Sequence, residues 1–299
     1  MAVYKKMLVP LDGSRMGEVV FPFVKELAHR LGLETTCLHI CESEESQFAP
    51  MHAAYTKWVA DTLNRQAADA GRPIKIGGEV TYGQAEEGIL KYAAEHGSDF
   101  ILMSTHGRSG FNRWVLGSVA LKVLRHTNVP VWLIRSGAPV SCEWPKAEVI
   151  VPLDGSPAAE AVLPYVSNLV KQWGAEDIDV LLANVCKAPV MPSDFSDEMR
   201  QVWEDKRRQE AAITLEEGQQ YLDSVQEKLA AEGIKAKTQV LMGKVAEEII
   251  NLSSASPYSF IAMSTHGRSG LGRWVYGSIA ERVMVGASCP VLMVRPPQG

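Results

Sequence analysis

Residues 103–120 read MSTHGRSGFNRWVLGSVA, and residues 263–280 read MSTHGRSGLGRWVYGSIA. The two stretches differ only at Phe111/Leu271, Asn112/Gly272, Leu116/Tyr276 and Val119/Ile279. The same offset of 160 runs on to PVWLIR at 130–135 and PVLMVR at 290–295. Upstream, VPLDGS at 9–14 returns at 151–156, an offset of 142. A chain of 299 residues has room for about two domains. Two long copies signal a duplicated domain, since solenoid repeats are far shorter. The offsets differ by 18, which puts extra residues in the second copy, mostly near 187–207. We read domains at 1–138 and 146–299, with a linker over SGAPVSCEWPK at 136–146, which holds two prolines and a glycine.

Within each copy, short apolar runs alternate with segments of helical spacing. In the first, KKMLVPL, TTCLHI, IKIGGEVTY, DFILMS and VPVWLIR read as strands. Between them, VVFPFVKELAHRL, residues 53–70, AEEGILKYAAEHG and residues 115–126 read as helices, the third stopping at Gly97. The second copy repeats the order, with strands near 148–153, 179–185, 236–241, 259–264 and 291–295 and a longer, charged helix over 198–231. Strand–helix alternation with nearly continuous Leu, Val, Ile and Met runs predicts an α/β fold, a parallel sheet covered on both faces.

Composition narrows the function classes. Hydrophobic residues make up 46% and charged residues 22%, with a net charge of −5, which disfavours a nucleic-acid partner. No apolar stretch is long enough to span a membrane, and MAVYKKMLVPLDGS lacks a leader-like apolar core. The expected location is the cytoplasm. The five cysteines, Cys37, Cys41, Cys142, Cys186 and Cys289, include no CxxC pair. Buried free thiols are therefore expected, and no structural metal.

Two loops carry candidate chemistry, because open parallel sheets bind ligands beyond the carboxyl ends of their strands. The first is Pro10, Asp12, Gly13 and Ser14, with its twin Pro152, Asp154, Gly155 and Ser156. The aspartates can accept hydrogen bonds from ribose hydroxyls, and the glycines permit a tight turn. An Asp-Gly turn into a helix capped near the serine explains the same residues without a ligand. The second is the fourth-strand exit: Met103, Ser104, Thr105, His106, Gly107 and Arg108, then Gly117, Ser118 and Val119. Its twin is Met263, Ser264, Thr265, His266, Gly267 and Arg268, then Gly277, Ser278 and Ile279. Hydroxyls, glycine amides and a helix start make an anion cradle, with Ser118 and Ser278 able to cap the helix. The arginines, with Arg113 and Arg273, can neutralise phosphate or simply be solvated. His106 and His266 lack a named partner for catalysis and are read as loop-orienting. Trp114 and Trp274 are read as packing residues. His39 and Asn184 end the second strands, where a base edge would lie, and their dissimilarity favours backbone groups as readers.

VPLDGS after the first strand and SxxG-x9-GS after the fourth resemble the universal stress protein family, over almost the whole chain and twice. The resemblance implies tandem flavodoxin-like domains, each a five-stranded parallel sheet of order 3-2-1-4-5 with helices on both faces. It also implies ATP binding, with or without Mg²⁺, where strands one and four adjoin: ribose at Asp12 and Asp154, phosphates at 104–107, 264–267 and the two Gly-Ser turns, adenine at the backbone of Ile40 and Val185. The family pattern begins with glycine, and Ser104 and Ser264 depart from it. Pairing through the last strand is implied too, here between 131–135 and 291–295 within the chain, with further pairing of two chains left open. The expected function is a stress-response sensor or regulator with protein partners not yet named. A nucleotide-free interaction module and a slow ATPase or self-phosphorylating protein are the alternatives.

Overall fold

The computed structural model describes residues 3–41, 43, 48–105, 116–135, 144–188, 197–266 and 276–296. The first half runs β1 (Lys6–Leu11), a 3-10 turn (Glu18–Val20), α1 (Phe21–Arg30), β2 (Glu34–Cys41), α2 (Ala49–Asp69), β3 (Lys75–Tyr82), α3 (Ala85–Glu95), β4 (Phe100–Ser104), α4 (Ser118–His126) and β5 (Val131–Ile134). The second half runs β6 (Ala147–Pro152), α5 (Pro157–Glu160), α6 (Leu163–Trp173), β7 (Ile178–Cys186), α7 (Asp197–Ala231), β8 (Ala236–Met242), α8 (Val245–Ser253), β9 (Ser259–Ser264), α9 (Ser278–Gly286) and β10 (Val291–Val294). Two details depart from the sequence reading. The helix expected over 53–70 begins a turn earlier, at Ala49, and a four-residue helix, α5, precedes the main helix after β6.

All ten strands form one sheet, in the order β3-β2-β1-β4-β5-β10-β9-β6-β7-β8. Each half is therefore a parallel 3-2-1-4-5 sheet, and the halves join antiparallel through β5 and β10, Leu292 opposite Trp132. The sequence dictates this burial. β5 and β10 are apolar at every position, and all eight residues are buried, as strands covered on both faces require.

Side-chain alternation along the strands divides the interior into two cores. Val131 and Leu133 face one, with α3, α4, α8 and α9. Trp132 and Ile134 face the other, with α1, α2, α6 and α7. Each core is continuous across the junction. On the second face, Trp144, the first described residue after 136–143, stacks against Trp173 and Phe260 at 5.4 and 5.7 Å and meets Phe23 edge-on at 6.0 Å. The end of the linker is thus core, not tether. Nearby, buried Glu26 takes Arg30 at 3.0 Å and Arg72 at 2.9 Å, and Arg30 also donates to the Trp144 carbonyl at 2.8 Å. A carboxylate this deep persists only because it is paired.

Among the described residues no helix is long and apolar enough to cross a membrane. Cys37, Cys41 and Cys289 are buried free thiols, and Cys186 is half-buried; Cys142 lies outside the described residues. Burial pushes the Cys37 thiol up to about 12, so it is a neutral packing group.

Candidate nucleotide site

β1 lies between β2 and β4, and β6 between β7 and β9. The exits of the first and fourth strands of each half are therefore neighbours, as the candidate chemistry requires.

The aspartate turns are built alike. Ser14 donates to Asp12 Oδ1 through its backbone N–H at 2.9 Å and its hydroxyl at 2.7 Å. Ser156 does the same to Asp154 at 3.0 and 2.6 Å. Gly13 and Gly155 have φ of 75° and 82°, a region that costs an L-residue about 1–2 kcal/mol. Gly155→Ala is therefore expected to lower stability by about that amount, read as a shift in the urea midpoint with unchanged slope. Ser14 Oγ accepts from Gly17 N–H at 3.0 Å, and Ser156 Oγ caps α5 by accepting from Ala159 N–H at 3.1 Å.

At the fourth-strand exits, Thr105 and Thr265 tie down both ends of the loop. Their carbonyls accept from the Gly117 and Gly277 N–H at 2.8 and 3.1 Å, and their own N–H groups donate to Ile134 and Val294 at 2.8 Å. The cap assignment needs correction. Gly117 and Gly277 hold the N-cap positions in extended backbone, with no side-chain cap bond, and Ser118 and Ser278 are the first helical residues. Once the glycine turns inward, the serine already has helical geometry and cannot cap. Both helices therefore start with uncapped N–H donors, which suits an anion. His106, Gly107, Arg108, Arg113, Trp114, Gly267, Arg268, Arg273 and Trp274 lie outside the described residues. His266 is described, its Nδ1 2.9 Å from Thr265 Oγ1.

In the second half these loops open on a single cavity of about 680 Å³, well within the range of small-ligand sites. Pro152 and Asp154 line it from the first loop, and Met263, Ser264, His266, Gly277, Ser278 and Ile279 from the second, with Val185 at the end of β7. Gly155 and Ser156 form the turn beneath Asp154 and do not line it. The wall that sequence reasoning missed is α7, which contributes Thr214, Glu217, Gly218 and Tyr221, together with Lys187, Val245 and Ile249. The charged helix expected over 198–231 reads from sequence as a solvated amphipathic helix, with a lid or a partner surface as the alternatives. In fact its later part turns Leu222, Val225 and Leu229 into the core and so brings Gly218 over the β7 exit.

In the first half, Pro10 lies on β1, Ile40 on β2, and Met103 and Ser104 on β4, with Ser118 and Val119 opening α4. His39 and Asn184, at the place where a base edge would lie, share one structural job, and Asn184 also lines the second-half cavity. His39 Nδ1 donates to the Leu11 carbonyl at 2.7 Å, and Asn184 Nδ2 to the Leu153 carbonyl at 2.8 Å. Each fixes the backbone just before the aspartate. Above them the halves diverge. Tyr55 on α2 and Tyr221 on α7 donate to Glu18 and Glu160 at 3.1 Å each, which aligns the two helices. Burial first, then the neighbouring glutamate, raises the pKa of both phenols. One turn before the tyrosine, the first half has His52, stacked on His39 with ring centroids 4.4 Å apart. The second half has Gly218 there. A Cβ on Gly218 would sit 3.0 Å from Asn184 Oδ1 and from Val240 Cγ1.

Comparison with known proteins bears on what this fold is. The model of the Universal stress protein family matches residues 3–135 and again 147–295. Universal stress protein Rv2005c of Mycobacterium tuberculosis is 23% identical over 302 residues, covering 97% of this chain and 96% of that protein. Universal stress protein MJ0531 of Methanocaldococcus jannaschii is 30% identical over 151 residues, half of this chain and 83% of its own length. A crystal structure of a universal stress protein from Archaeoglobus fulgidus superposes with a TM-score of 0.65 at 20% identity, covering 98% of both chains. With the family model matched once by each half, this chain belongs to the universal stress protein family, as a tandem member.

Proposed function

We propose that the second half binds an adenine nucleotide, ATP with or without Mg²⁺, and that the chain acts in the cytoplasm as a stress-response regulator that reports occupancy to protein partners. The observation that carries this reading is the single cavity lined by both loops, Asp154 from one and Gly277 and Ser278 from the other. The donor set suits the ligand end to end. The Asp154 carboxylate accepts from ribose hydroxyls, and the uncapped amides and hydroxyl at the start of α9 suit phosphate oxygens. Val185, Val245 and Ile249 supply apolar surface for a base, with Gly218 leaving room above it. A carboxylate beside phosphate oxygens is the oxygen environment Mg²⁺ prefers.

A contact beside the cavity supports the regulatory part. Tyr276, directly before Gly277, donates across the junction to the Leu121 carbonyl on α4 at 2.8 Å, and the Arg125 guanidinium lies 5.9 Å from its ring centre. Burial, partly offset by Arg125, raises this phenol to about 12, so it remains a donor at neutral pH. A ligand that moves the Gly277 turn therefore pulls on the other half.

The test is equilibrium dialysis of the whole chain against labelled ATP. One equivalent is expected per chain. Asp154→Ala should weaken binding by about 10- to 100-fold, the value of hydrogen bonds to a charged group, while Asp12→Ala leaves it near wild type. No binding to the wild-type protein, or a larger loss from Asp12→Ala, rejects the assignment.

A further inference from the structure

The position that is open in the second half is filled in the first by groups with a chemistry of their own. His39 and Cys41 are alternate residues of β2, so both side chains point to the face covered by α2. His52, on the first turns of α2, comes down on them from above. One ligand atom from each of the three lies within 4.8 Å of the others. His39 and Cys41 are buried, 5% and 4% exposed, and His52 is half-buried. We infer that His39, Cys41 and His52 form a binding site for one divalent transition-metal cation of the zinc type, with a fourth position left to water or a small ligand.

Three features support the assignment beyond proximity. First, the bond from His39 Nδ1 to the Leu11 carbonyl places the ring proton on Nδ1 and a lone pair on Nε2. Metal-bound histidines are oriented in this way by a carbonyl behind them. Second, two imidazoles and one thiol are a borderline-soft set that selects zinc-like ions over Mg²⁺ or Ca²⁺, and three protein ligands with one open position is a known zinc arrangement. Third, the second half has Asn184, Cys186 and Gly218 at the matching positions, so it keeps the thiol and lacks both imidazoles. The same framework thus holds a ligand set in one half and an open pocket in the other.

Closing on an ion requires a small, defined movement. Ligand atoms around tetrahedral zinc sit about 3.3–3.8 Å apart. The His39 and His52 rings are nearly parallel, 15° between planes, and two stacked rings cannot both aim at one ion. His39 is held by Leu11, so the His52 ring is the one that turns about its side-chain torsions to bring a nitrogen inward.

The experiment titrates Co²⁺ into the chelator-stripped, full-length protein with no nucleotide present, so its outcome is separate from that of the nucleotide reading. One equivalent is expected to bind with the visible bands of a tetrahedral site and a near-ultraviolet thiolate-to-cobalt band, and Zn²⁺ should displace it. Cys41→Ser should abolish the thiolate band. His39→Asn should weaken cobalt by at least about 100-fold, beyond the loss expected for an outer-shell partner. Folding is protected in that variant, because asparagine is the residue that makes the same carbonyl bond in the second half; far-ultraviolet circular dichroism and the urea midpoint check it. Failure of the wild-type protein to give the thiolate band, or unchanged cobalt affinity and spectrum in folded Cys41→Ser and His39→Asn, overturns the proposal.

Discussion

Gly218→His is expected to remove nucleotide binding while leaving the protein folded. The substituted residue points where the cavity lies between α7 and the end of β7. Even a methyl group there would meet Asn184 Oδ1 and Val240 Cγ1 at 3.0 Å and Cys186 Sγ at 3.4 Å, so an imidazole has only the cavity to enter. The first half shows that the framework tolerates histidine at this place, since His52 occupies it above the same strand exit. Glycine within a helix costs about 1 kcal/mol relative to alanine, which offsets part of the crowding. We expect labelled-ATP binding to fall by more than about 100-fold, equivalent to ~2.7 kcal/mol, with a urea midpoint close to wild type. Retention of wild-type affinity in folded Gly218→His would place the ligand elsewhere. Gly218→Ala should give an intermediate loss, because only one methyl group enters.

Trp144→Ala is expected to give the largest stability loss of any single truncation proposed for this chain, about 3–5 kcal/mol, as for large aromatic-to-alanine changes in a core. The indole is 1% exposed and is surrounded by Trp173 and Phe260 from the second half and Phe23 from the first. Removing it opens a void that its close-packed neighbours on α1, α6 and β9 cannot close. The loss should appear in guanidinium unfolding followed by far-ultraviolet circular dichroism. Because the void lies where the halves meet, one transition in the wild-type protein should broaden or split in the variant. Trp144→Phe should retain most of the stability. A change below 1 kcal/mol for Trp144→Ala would mean that the junction does not depend on the Trp144 packing.

Much of the architecture was legible because it is written twice. The VPLDGS and SxxG-x9-GS repeats fixed the halves, and the run of apolar residues in β5 and β10 announced strands with no solvent-facing side. The neighbouring exits of the first and fourth strands followed from the strand order that the family resemblance implied, not from the residues themselves. What was hidden depends on contacts distant in sequence. His39 and Asn184 look unrelated as letters, yet both are short side chains with a donor at the same distance from a carbonyl. The importance of Gly218 cannot be read from a charged helix, because it comes from alignment against His52 through the Tyr55 and Tyr221 bonds to Glu18 and Glu160. The His39, Cys41 and His52 cluster has no CxxC-like spacing, since one strand and one helix supply its members. The serine cap failed because the glycine before it takes the extended conformation first.

The pairing of β5 with β10 has an evolutionary consequence. When two identical chains associate through a shared strand, any change in one pocket is copied into the other, and both sites keep the same occupant. Fusion of the two halves into one polypeptide breaks that coupling. Each molecule carries both versions of the strand exit, His39 and His52 in one half and Asn184 and Gly218 in the other, in fixed one-to-one stoichiometry, and mutations in α2 and α7 can be selected independently while the seam that unites them stays intact.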